Sequence, residues 1–67
     1  DTVVTVACWW GHMVEFTFRD GARCVGTVVG FELVEGVNVI FVPVDSEASL
    51  VEMLVPVDEL DGVVVLD

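Results

Sequence analysis

Lysine is absent from these 67 residues and arginine occurs only as Arg19 and Arg23, against twelve acidic residues, for a formal net charge of −10. A protein that binds nucleic acid through its phosphates needs Lys or Arg to displace counterions, so direct nucleic-acid binding is not expected. The charge favours a basic protein partner instead, because complementary fields steer encounter and set specificity. Keeping a valine-rich chain soluble, or life in high salt, would account for the same acidity. Cysteine is scarce as well. Cys8 and Cys24 are too few for the disulfide framework of a small secreted domain, and they read as reduced core residues. With His12, the single histidine, they make three soft ligands where a structural zinc wants four, at no usual zinc spacing. No metal and no cofactor are expected. No apolar run reaches the roughly 18 residues that cross a bilayer. The start of the chain lacks a basic region, and Thr2 and Thr5 interrupt its apolar stretch, unlike a secretory signal. A soluble, cytoplasmic protein without a membrane span is the expectation. No nucleophile, histidine and acid stand in a catalytic motif, and no glycine-rich loop precedes a helix. The carboxylates of Asp58, Glu59 and Asp61 read as solvated caps, so no enzymatic role is expected.

What the chain has is valine, with 55% hydrophobic residues overall. Stiff β-branched side chains pack well on a pleated surface. The expectation is an all-β fold in one domain spanning residues 1–67. Thr2 to Cys8 has β-propensity but is short enough to be a helical turn. In Met13 to Arg19, Val14, Phe16 and Phe18 alternate with Glu15, Thr17 and Arg19, the period of a half-buried strand. Asp20-Gly21 suits a tight turn, and the second strand runs from Ala22 to Val34, with Gly26 and Gly30 marking a bulge or bend. After Glu35-Gly36 come a strand at Val37 to Val44, a polar loop at Asp45 to Ser49 and a strand at Leu50 to Val57. A single 3₁₀ turn at Asp58 to Asp61, with Asp58 as its cap, leads to a closing strand after Gly62. Five short strands with a long, bent second one predict a small SH3-like or Sm-like barrel, whose closure would remove exposed edges.

Trp9 and Trp10 are adjacent, so their rings point to different sides and at least one is expected to be partly exposed. An exposed tryptophan anchors protein interfaces. Covering the end of the barrel is the competing role; it is favoured for Trp10 and level with exposure for Trp9.

The run VACWWGHMVEFTFRDGARCVGTVVGF, Val6 to Phe31, resembles the opening of the Rof family, small Sm-like proteins that bind and inhibit transcription termination factor Rho. The shared features are Ala7-Cys8, the aromatic and histidine stretch Trp9 to His12, the alternating strand Val14 to Phe18, the turn Arg19-Asp20-Gly21, and the strand containing Gly26. LVEMLVPVDELDGVVVL, Leu50 to Leu66, is similar to that family's last two strands. GTVVGFELVEGVN also resembles the first motif of RNA-binding Sm-like proteins, with Glu32 in place of an aspartate and Asn38 matching its asparagine. Glu59-Leu60-Asp61-Gly62 is acidic where such RNA binders carry Arg-Gly. The Rof resemblance implies a helix ahead of the first strand and acidic residues that occupy a basic RNA-binding surface of Rho. The first segment reads more strongly as a strand than as that helix, the family's main contact element; without it, Asp1, Trp9, Glu32, Glu35, Asp45 and Glu47, on loops and one rim, are the expected partner-binding residues. A module that binds a peptide or assembles into a ring of its own copies is the alternative.

Overall fold

The chain opens with a helix rather than a strand. In a computed structural model, which describes residues 1–44 and 51–67, Thr2–Ala7 forms α1, with the Asp1 side chain accepting from the Val3 amide at 3.0 Å. Six residues rich in Val and Thr disfavour a helix by roughly 0.5 kcal/mol each relative to alanine. The cap contributes about 1 kcal/mol, and complete burial of Val6 roughly 2 kcal/mol more, which offsets the propensity. The helix therefore exists because the core needs Val6.

Five antiparallel strands follow: β1 (Met13–Phe18), β2 (Arg23–Glu32), β3 (Asn38–Pro43), β4 (Met53–Pro56) and β5 (Leu60–Val65). They form one sheet in the order β4-β3-β2-β1-β5. A 3₁₀ turn, Val57–Glu59, joins β4 to β5. The expected loop at Asp45 to Ser49 and the expected start of the fourth strand at Leu50 lie outside the described residues.

That short turn dictates the shape of the sheet. In the order of hydrogen bonding, β4 and β5 are four strand spacings apart, about 19 Å if the sheet were flat. A three-residue 3₁₀ turn rises only about 2 Å per residue, so the sheet curls until its two outer strands approach one another. The ladders run β4–β3, β3–β2, β2–β1 and β1–β5. Among the described residues none pairs β4 with β5, so both keep a free edge.

The concave side holds the core, Val6, Val14, Phe16, Val28, Val39, Phe41 and Val55. Phe16 and Phe41 stand on strands separated by β2, yet their ring centroids are 4.7 Å apart. They meet over Gly26, which faces inward opposite Val14. A Cβ built there would overlap the Val42 carbonyl oxygen and the Phe41 ring. The inward positions of β2 begin as Cys24, Gly26 and Val28, opposite Phe16, Val14 and Phe41. A bulge at Val29 then shifts the parity, so Phe31 rather than Gly30 faces in, opposite Val39. This is the bend expected of Gly26 and Gly30, placed one residue from Gly30.

A second bulge leaves Asp61 unpaired between Thr17–Gly62 and Phe18–Leu60. β5 thus begins at Leu60, not after Gly62, because the 3₁₀ turn ends sooner than expected. Asp58 lies inside that turn, whose cap is Pro56 with no side-chain hydrogen bond, so Asp58 is not a cap. Pro56 is tolerated on strand grounds. The Val57 amide donates to the Val37 carbonyl at 3.0 Å, which makes Val39–Val55 and Phe41–Met53 the bonded rows and Asn38–Pro56 a non-bonded one. The missing N–H of Pro56 would have faced the free edge. Cys8 is exposed at the helix C-cap, not in the core, since the helix turns only Val6 fully inward. Cys24 does pack against the core cluster. Among the described residues no helix is long and apolar enough to cross a membrane.

Gly26→Ala should lower stability by about 3 kcal/mol, because rigid backbone and a buried ring must both move. Gly30→Ala, whose Cβ would meet only the Ile40 Cδ1 at 3.5 Å, should change it by less than about 1 kcal/mol. Urea unfolding of the two variants checks the contrast.

Candidate functional site

Backbone contacts gather acids from separate stretches of the chain. The Val57–Val37 hydrogen bond sets Asp58 and Glu59 beside the β2–β3 turn that carries Glu35. The Arg19 amide donates to the Glu59 carbonyl at 3.0 Å, and Arg19, Asp20 and Glu59 share an open groove of about 340 Å³. Glu32 ends β2, in the row of Asn38 and Pro56. An exposed acidic rim therefore runs from Glu32 and Glu35 through Asp58 and Glu59 to Asp20, with Arg19 at one end.

Glu35 has φ +52°, next to Gly36 at φ +103°. For a residue with a Cβ that left-handed conformation costs about 1–2 kcal/mol, and glycine or asparagine would fit it better. The turn is held from below by Asn38, 8% exposed, whose Nδ2 donates to the Val34 carbonyl at 2.8 Å. The asparagine singled out by its motif is thus a clamp on the loop that presents Glu35. Strain of this kind persists where the surroundings enforce it, and it concentrates at functional positions.

The expected site residues divide. Glu32 and Glu35 flank one turn and belong to the rim. The Asp1 carboxylate is engaged in capping α1, and no described contact brings it to the rim. Trp9 is half-buried, packed on the core with its ring edge-on to Phe16 at 5.9 Å. Trp10 is 58% exposed and stands edge-on to Phe31 at 6.1 Å, so the available ring is the one expected to cover the barrel end. The reversal follows from the helix: α1 continues into turns in which Gly11 and His12 bond Val28, and this rotates Trp9 inward. Asp45 and Glu47 lie outside the described residues. Asp20, Asp58 and Glu59, read as turn or cap residues, join the rim through contacts that no local pattern encodes; the run of acids around Leu60 was the available signal.

His12 and Asp67 close the other side. The His12 Nδ1 lies 3.0 Å from Asp67 Oδ1, and the Met13 amide donates to Asp67 Oδ2 at 3.2 Å. The Met13 amide first, and then the His12 hydrogen bond, hold the Asp67 carboxyl below its ordinary value of 3.8. Cys8 and Cys24 are not joined in a disulfide, and among the described residues no three of His, Cys, Asp and Glu converge as a metal site would require.

Glu35→Asn should raise stability by about 0.5–1 kcal/mol by relieving the left-handed strain, measured by urea unfolding. For Asp67, a lowered folded-state value means that its contribution is complete above the ordinary carboxylate value and is lost as pH falls through the folded value. The stability difference between wild type and Asp67→Asn should accordingly be present at about pH 5 and vanish towards about pH 2. Chemical unfolding across that range reads it, and a difference that persists undiminished in acid would contradict the assignment.

Compared with protein-family models, curated proteins and solved structures, the chain matches none.

Proposed function

We propose that this chain is an acidic Sm-like barrel that binds a basic surface on another protein, and that this surface is the RNA-binding face of transcription termination factor Rho, whose activity it inhibits. The observation that carries the reading is the acidic rim from Glu32 and Glu35 to Asp58, Glu59 and Asp20 on a chain of net charge −10. Such a rim competes with RNA phosphates for the same cations. The helix Thr2–Ala7 supports the Rof resemblance, because that family has a helix at this place where β-propensity favoured a strand. The curl required by the 3₁₀ turn supports a barrel. A binding rather than catalytic role suits a site made of exposed acids, with the single histidine engaged by Asp67.

A second reading has its own support. The free edges of β4 and β5 carry exposed Met53, Leu54, Val64 and Val65, as a module would that adds a peptide strand or pairs with its own copies.

Immobilised Rho should retain the protein at low salt and release it progressively as salt rises, and Glu35→Gln with Asp58→Asn should weaken retention about fivefold. Absence of retention even at low salt removes Rho as partner. Light scattering should give the mass of a monomer; the mass of a ring would favour the second reading.

A further inference from the structure

The convex side of the sheet carries a groove of about 250 Å³ lined by Glu32, Ile40, Glu52, Met53 and Leu54. Its floor is the cross-strand pair Ile40–Leu54. Glu52 immediately precedes β4, two residues before Leu54, and lines the same groove. Glu32 stands in the row of Asn38 and Pro56, two rows beyond Ile40 and Leu54, with Val39 and Val55 between. The two carboxylates therefore lie at diagonally opposite ends of an apolar floor, four residues or roughly 13 Å apart along the strands and, with β3 between β2 and β4, two strand spacings or roughly 10 Å apart across them.

Two other grooves on this surface contain their own cation, Arg19 in one and Arg23 in the other. Both arginines flank the β1–β2 turn, at the far end of β2 from Glu32. The Glu32–Glu52 groove has neither. Its charge is unbalanced, its floor is apolar, and the diagonal of roughly 16 Å between its carboxylates is within reach of long side chains at residues i and i+4 of an extended chain, which point to one side about 13 Å apart.

We propose that this groove binds an extended segment of a basic protein, with a Lys or Arg at each of positions i and i+4 meeting Glu52 and Glu32, and an apolar side chain at i+2 resting on Ile40 and Leu54. The aliphatic stems of the cations cover the floor while their heads stay at the carboxylates. This rests on the reading that the partner's surface is cationic, but not on which protein bears it.

The probe is the peptide acetyl-Lys-Thr-Val-Thr-Lys-amide, with acetyl-Glu-Thr-Val-Thr-Glu-amide as control, titrated into the isotopically labelled protein at low salt. Saturable shifts of the Ile40 and Leu54 methyl resonances are expected with the lysine peptide alone. Glu32→Gln and Glu52→Gln, both at exposed positions, should each weaken its affinity about two- to fivefold, and the double variant by about tenfold, with the spectrum otherwise retained. Shifts confined to the rim at Glu35 and Asp58, or an affinity unchanged in the double variant, overturn the groove while leaving a cationic partner in place. Absence of any saturable shift anywhere removes the cationic partner itself, and the groove with it.

Discussion

The contact between Phe16 and Phe41 over Gly26 is the constraint from which the rest of the molecule follows. Two rings on strands that are not neighbours meet at 4.7 Å only because the strand between them has no side chain at that place. Their meeting draws β1 and β3 together on the concave side, and the same curl lets a three-residue turn connect the two outermost strands. Burial of Val6 and the edge-on contact of Trp9 with Phe16 then lay the helix and its following turns against this core. A 67-residue chain has little core to lose, so one glycine carries an unusual share of the specification.

The strands were legible wherever alternation was local. Val14, Phe16 and Phe18 against Glu15 and Thr17 mark β1 without help from the rest of the chain. The helix was not legible, because TVVTVA carries β-propensity and its helicity depends on a cap and on one buried valine supplied by tertiary packing. The bulges at Val29 and Asp61 were hidden for a similar reason: each shifts parity by one residue to suit a partner strand. Glycine at positions 26 and 30 announced a bend, but which of them sat beneath a ring depended on Phe41, fifteen places further on. For the rim, Glu32 and Glu35 could be read from the turn between them. Asp58, Glu59 and Asp20 could not, since only the Val57–Val37 and Arg19–Glu59 backbone bonds bring those stretches together.

Charge and strain act on the same loop. Gathering like charges on one rim destabilises the compact state through self-repulsion, and Glu35 adds a left-handed backbone conformation that a smaller residue would adopt with less strain. Asn38 holds the strained loop in place through a part-buried bond to the Val34 carbonyl. The position therefore retains a carboxylate where local stability alone would favour glycine or asparagine.

The same acidity bears on what the free edges of β4 and β5 can accept. Pairing one copy's β4 with another's β5 would bring Glu52 and its neighbours towards Asp61 and Asp67, between molecules that each carry a net charge of −10. Pro56 already removes one of the outward donors that such a ladder would use. Repulsion across a Debye length of about 8 Å at physiological salt is only partly screened, so a second copy meets an electrostatic barrier that a lysine- or arginine-bearing chain does not. On the proposed reading the surface thus discriminates by sign before any side chain makes contact, since like charge opposes pairing of copies along both edges.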